Sequence, residues 1–270
     1  MKLVLSRKGF DSSAGGCPSP ILPDGQMLSL PIPGRDRRTP YNLLNTRTLD
    51  VCHLVSDLTR GRVRADASVH LDPDLEPSAR NREAGWLPSF GQDSNAQRHL
   101  DRAGVGIDDL FLFFGWFREV EFDRGRYRYR EHVPDLHVLF GWLRVGQMMR
   151  FGPDPVPTWL QGHPHAVRDG FPFNTVYVAK GANGAGVFPT FSPRLVLTET
   201  GKPRSVWHLP SDFLPRSRPA LTFHESPSRW REELDGCQLR STGLSEEFVL
   251  NLEQYPGVRK WAEEVVAISS

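Results

Sequence analysis

His70 and Asp72 lie two residues apart, and His163 and His165 flank Pro164 much later in the chain. A His-x-Asp pair with one distant histidine supplies the three ligands of the facial triad of iron and 2-oxoglutarate oxygenases, with His163 or His165 as the third. A simpler reading is preferred. Asp72 and Asp74 end a strand at the Asp72-Pro73 turn, His70 bonds locally, and no metal ligand is assigned. In either reading, imidazole and carboxylate are the groups best suited to proton transfer.

Two further sets of residues could do chemistry. Met1 to Leu5 forms a short apolar strand that runs into Ser6-Arg7-Lys8-Gly9-Phe10-Asp11-Ser12-Ser13-Ala14-Gly15-Gly16. Glycines let backbone N–H groups turn into a concave nest. With Arg7 and Lys8 at the strand's end, Ser12, Ser13, Gly15 and Gly16 could cradle a phosphate. The spacing matches neither a Walker loop nor the dinucleotide fingerprint, and an ordinary turn competes. Beside Arg80 and Arg82, the residues Trp86, Phe90, Gln92 and Asn95 combine aromatic faces with amide hydrogen-bonders, the means to stack a base and read its edge. The alternative is that Trp86 and Phe90 are core and the amides cap a helix. Cys17 is either a thiolate near Arg7 and Lys8 or a buried thiol. No Ser-His-acid triad can be assigned, and no spacing names a cofactor.

Composition narrows the field. The chain has 270 residues, 39% hydrophobic and 24% charged, with 33 basic and 32 acidic side chains and a net charge of +1. Such a chain can bury a real core, and no global field draws it to nucleic acid or an anionic membrane. Three well-separated cysteines, Cys17, Cys52 and Cys237, give no disulfide framework and fit a reducing cytoplasm. The apolar run after Met1-Lys2 is short and no later stretch approaches membrane-spanning length, so the expectation is a cytoplasmic protein with no membrane partner.

The elements that must hold these residues read as β-rich with a few helices. The 24 glycines and 23 prolines imply many short elements. Alternation over Arg60 to Leu71 predicts a strand. Asp93 or Ser94 caps a helix that Gly104 stops, and Leu110 to Phe114 is an apolar run fit for a strand buried on both faces. Phe113-Phe114-Gly115-Trp116 is echoed by Leu139-Phe140-Gly141-Trp142, which suggests two bent neighbouring strands and a small barrel. Between them a hairpin turns at Asp123 to Arg126, with a solvated arginine face opposite tyrosines. Beyond Phe151 the chain loosens through Gly152-Pro153-Asp154-Pro155. A strand is expected over Asn174 to Ala179, and a hairpin around Gly201-Lys202-Pro203. Two closing helices are expected, one capped by Ser245 through Leu252 and one over Val258 to Ala267. The division is a single domain, with residues 1–150 as barrel-forming core and 151–270 as loop-rich, helical elaboration.

These motifs together resemble the third of the nucleotide-modification-associated domain families, predicted components of bacterial and phage systems that make hypermodified bases. The resemblance rests on Ser6 to Ser13 with Gly15-Gly16, Pro18-Ser19-Pro20-Ile21-Leu22-Pro23-Asp24-Gly25, Leu28 to Pro33, His70 to Leu75, Gly85-Trp86 with Phe90-Gly91-Gln92, Asp109 to Gly115, and His163-Pro164-His165. It implies a protein that acts on a nucleotide or DNA base and works beside other enzymes of a DNA-modification pathway, while the β-rich pattern with a few helices gives the expected class, α+β. The helix, turn and apolar strand also resemble, more distantly, the pseudouridine-synthase-and-archaeosine-transglycosylase (PUA)-like barrels, so a partly open small barrel with several helices and long loops is expected.

The resulting expectation is an enzyme that modifies a nucleobase or nucleotide. Arg7, Lys8, Ser12, Ser13, Gly15 and Gly16 would hold phosphate, Trp86 and Phe90 would stack the base, and Gln92 and Asn95 would read it. Asp11, His70, Asp72 and His163 are the candidates for proton transfer. The rival readings are a non-catalytic reader of a flipped modified base and a metal-dependent oxygenase built on His70, Asp72 and His165.

Overall fold

The computed structural model describes residues 1–34, 39–45, 50–151, 156–167 and 172–269. The Gly152-Pro153-Asp154-Pro155 stretch lies outside them. In chain order the strands are β1 (Lys2–Arg7), β2 (Ser19–Ile21), β3 (Ile32–Pro33), β4 (Val69–His70), β5 (Ser89–Gln92), β6 (Leu110–Asp123), β7 (Arg126–Tyr129) and β8 (Leu136–Arg150). They continue with β9 (Thr175–Ala179), β10 (Ala185–Val187), β11 (Val206–Leu209), β12 (Trp230–Glu233), β13 (Gly236–Arg240) and β14 (Glu247–Asn251). Helices α1 (Val51–Leu58), α2 (Ser94–Arg102) and α3 (Pro256–Val266) complete the α+β fold.

The main sheet runs β14-β1-β6-β8-β9-β5, with β2 and β7 also on β6 and β10 on β8. Strand β6 is its spine. Leu110 to Phe114 is fully buried, as an apolar run between two packed layers must be. The echoed motifs are neighbours: Phe113 pairs with Gly141 and Phe114 with Leu139, which leaves Phe140 as the extra residue of a β-bulge. The hairpin at Asp123 to Arg126 also forms, with Arg124 and Gly125 both at positive φ. Its arginines pair outward, Arg128 with Glu121 and Arg130 with Glu119, while Tyr127 and Tyr129 pack on a second apolar cluster with α1.

The sheet is open and does not close into a barrel, since β14 and β5 are not paired through their backbones. It nevertheless curls enough for side chains to cross the gap, and Gln92 on β5 donates to Glu247 on β14 at 2.7 Å. The chain beyond residue 150 supplies β9, β10 and β14 to this sheet, and also a separate sheet in the order β11-β13-β12.

Two expected elements are replaced, and one helix is added. The alternation over Arg60 to Leu71 yields only β4 at its end. Arg60 and Gly61 take positive φ, Ala65 is exposed, and among the described residues the pairing of that stretch is confined to a bridge between Ser68 and Pro40 and to β4 on β3. Just before it lies an unforeseen helix, α1, with Val51, Leu54, Val55 and Leu58 inward and Asp50 accepting from the N–H groups of Cys52 and His53. The helix expected after Ser245 is strand β14. Ser245 does accept from Glu247 N, but β1 offers a full antiparallel partner, and the pairing of Phe248, Val249 and Leu250 overrides local capping.

Helix α2 and its Gly104 stop, the strand ending at Ala179 and the last helix form where expected. The bend around Gly201 is tied by Glu199 N to Val206 O.

Candidate functional site

Three segments far apart in sequence meet at Asp72. His70 ends β4, and the chain turns at the Asp72-Pro73 peptide, which is cis. Strand β5 then fixes the carboxylate, because Gly91 N donates to Asp72 Oδ1 at 2.8 Å. A helical turn, Pro164–Val167, brings His163 and His165 against the same strand. Gly91 is the reason the turn can approach so closely, since a Cβ there would overlap the His165 ring.

The resulting cluster is tight and mostly out of water. His165 Nε2 lies 3.4 Å from Asp72 Oδ2, His70 Nε2 lies 3.7 Å from the same oxygen, and His163 Nε2 lies 3.5 Å from Oδ1. Asp72, His163 and His165 are at most 4% exposed at their side chains, and His70 is 13% exposed. The ring orientations follow from the outer partners. Asn174 Nδ2 donates to His165 O, so its Oδ1 is the atom that accepts from His165 Nδ1 at 2.9 Å. His163 Nδ1 accepts from His165 N at 3.2 Å, which places the His163 proton on Nε2. Among the described residues that Nε2 has no hydrogen-bond partner.

Burial by itself would raise the Asp72 pKa, but the imidazoles of His163, His165 and His70 hold it well below the usual carboxylate range. Burial pushes His163 down, against the pull of Asp72. The Nε2 atoms of His70 and His165 and a carboxylate oxygen of Asp72 all lie within 4.8 Å of one another, a set that could hold a metal ion.

Asp72 is also part of the wall of a cleft of about 460 Å³. Gly9 from the opening segment, Ser29, Asn45 and Asp74 supply polar edges to this cleft, and the bulged Phe140 with Phe188 supplies apolar surface. The opening segment and the Asp72 turn therefore share one cleft, through Gly9.

The other expected site residues are placed differently. The Asp11 carboxylate itself fills the glycine-rich loop, accepting at 2.7 Å from Ser13 N, Ser13 Oγ and Ala14 N. Ser12 is exposed, Gly15 packs under Phe10, and Gly16 lies against Arg62. Arg7 reaches back to Gly243 O. Lys8 bridges Glu247 at 2.8 Å and Glu246 at 3.0 Å. Burial works to lower its pKa, but Glu247 and Glu246 outweigh burial and raise it above the ordinary lysine range. Phe90 is core, packed on Phe111, Phe113 and Tyr177, and so offers no face to a base. Trp86 covers the Arg82 guanidinium at 4.0 Å, and Arg82 in turn grips Asp74 with two 2.6 Å hydrogen bonds. Gln92 serves Glu247, and Asn95 is exposed on α2. Burial raises the Cys17 thiol, which makes it a core residue and no thiolate.

His165, which the sequence offers only as a possible third ligand, is as central as His163. Of the residues that seat it, Gly91 stands in the Phe90-Gly91-Gln92 match to the family, and Asn174 carries no signal beyond an asparagine at a strand's edge.

By fold and site this is an α+β protein with an open mixed sheet and a buried carboxylate ringed by three imidazoles. It belongs to the nucleotide modification associated domain 3 family, whose model matches residues 2–251. No curated protein matches the chain. No solved structure does either. Among the described residues no helix is long and apolar enough to cross a membrane.

Proposed function

We propose that the protein is an enzyme that modifies a nucleobase or nucleotide in a bacterial or phage DNA-hypermodification system, working in the cytoplasm beside the other enzymes of that pathway. The observation that carries this reading is the double position of Asp72, at once in the cleft wall and at the centre of the three imidazoles. Burying a carboxylate and three histidines together costs stability that a purely structural element has no reason to spend, and such sets cluster where chemistry is done. The cleft matches a small-molecule site in size, with apolar walls for a ring and polar edges to orient it. Family membership supports the substrate class, and the cluster supports a reaction in preference to simple recognition.

The test is mass spectrometry of free nucleotides and of phage DNA incubated with the purified chain. The expected outcome is a new mass that Asp72→Asn abolishes while the circular dichroism spectrum stays unchanged. Tight binding of modified DNA with no mass change would favour the non-catalytic reader.

A further inference from the structure

We propose that His70, Asp72 and His165 form a binding site for one divalent first-row transition metal, with His163 and Asn174 as the outer groups that orient the ligands. This deepens the reading of the Asp72 cluster as the reacting centre, and it rests on that placement.

Three observations carry it. First, Asp72 Oδ1 is engaged by Gly91 N, which leaves Oδ2 as the oxygen that meets both His70 Nε2 at 3.7 Å and His165 Nε2 at 3.4 Å. Donor atoms each about 2.1 Å from a common ion lie about 3.0–3.4 Å from one another, so these side chains need only small shifts to share one. Second, Asn174 Oδ1 occupies the His165 Nδ1 proton, so in the neutral ring the Nε2 lone pair faces the carboxylate. A histidine whose far nitrogen is anchored to a side-chain oxygen is the usual arrangement at metal centres. Third, His163 is buried, carries its proton on Nε2 and lacks a partner for it among the described residues, at 3.5 Å from Asp72 Oδ1. That is where a hydrogen bond to a ligating carboxylate belongs.

Two imidazoles and one carboxylate favour zinc, iron, cobalt or nickel over magnesium or calcium, which prefer all-oxygen sets. A second group, His208, Glu233 and Asp235, also brings three ligand atoms together, but Asp235 is 84% exposed there. It serves as the internal control.

The experiment is metal binding by the full chain, stripped with chelator and titrated separately with Zn(II), Co(II) and Mg(II). The expected result is one equivalent of Zn(II) or Co(II) and no comparable Mg(II) uptake. His70→Ala and His165→Ala should weaken binding at least 100-fold, Asn174→Leu by about 10- to 100-fold, and His208→Ala not at all. Should an alanine variant fail to fold, the wild-type Co(II) form decides alone. Its paramagnetically shifted proton spectrum should contain exchangeable imidazole N–H signals from two ligating histidines.

Absence of stoichiometric uptake overturns the proposal, as does uptake that is insensitive to His70 and His165 or that is lost in His208→Ala. Metal binding without nucleotide modification would sink the proposed function and leave the metal site standing. Modification by a chelated protein that takes up no metal on titration would do the reverse.

Discussion

The opening loop and the Asp72 cluster are both rich in polar groups, and both border the same cleft, yet their internal chemistry is opposite. In the loop the charges already have protein partners: Asp11 takes the N–H groups of Ser13 and Ala14, and Lys8 is held by Glu246 and Glu247 at the start of β14. In the cluster, ring nitrogens converge on one carboxylate and a buried N–H is left without a partner among the described residues. A self-satisfied polar loop needs no ligand, whereas an unsatisfied buried cluster gains stability from one. Charge and glycine content do not distinguish the two cases.

The largest expected effect tests the loop as structure. Lys8→Met leaves Glu247, fully buried, without its cation and should lower unfolding stability by about 3–5 kcal/mol in urea titration. Adding Glu247→Gln should restore part of the loss. If Lys8→Met kept its stability and lost only nucleotide modification, the loop would have to be moved into the site and the contrast would fail.

Next is Gly91→Ala, whose methyl group overlaps the His165 ring. Displacing that ring by about 1 Å should reduce modification roughly 100-fold with secondary structure intact. A fully active variant would show that the position of His165 is irrelevant.

Two histidines outside the cluster, His137 and His224, sharpen the contrast, because each is satisfied as a neutral ring. His137 Nδ1 accepts from Trp207 Nε1, and burial with Arg204 nearby pushes its pKa down to about 3. His224 Nε2 accepts from Thr242 N, and burial takes it to about 4. Both folded values lie below the unfolded 6.5, so the unfolded chain binds more protons in between. Stability should therefore be full above about pH 6.5 and fall as pH drops, by about 1.4 kcal/mol per pH unit for each group. A pH-independent melting temperature between pH 7 and 5 would contradict this.

The smallest effect is that of Asp11→Ala, which should cost about 1 kcal/mol of stability and leave modification unchanged. A large loss of activity at near-normal stability would return Asp11 to the catalytic candidates.

Much of this protein was legible from local pattern, because local physics decides it. The apolar run at Leu110 to Phe114 had to be a doubly buried strand, the paired Phe-Gly-Trp and His-x-Asp motifs stood out by type and spacing, and Gly104 and Gly125 marked their turns. The Asp50 cap with apolar residues at 51, 54, 55 and 58 is an equally local helix pattern, stronger than the alternation that follows it.

What sequence could not decide was which charges were already spent. Lys8 meets Glu247 across 239 residues, Gln92 meets Glu247 across 155, and His165 meets Asp72 across 93. Such partners are chosen by how the sheet curls and which strand lacks a side chain at Gly91, a long-range outcome to which residue type and spacing are blind. The sequence alone determined the buried strand at Leu110 to Phe114, several turns, the ionisable groups and the family they belong to. Only the tertiary structure decided that Asp11 and Lys8 of the glycine loop already have partners while three histidines surround Asp72, because burial and pairing are set by neighbours in space.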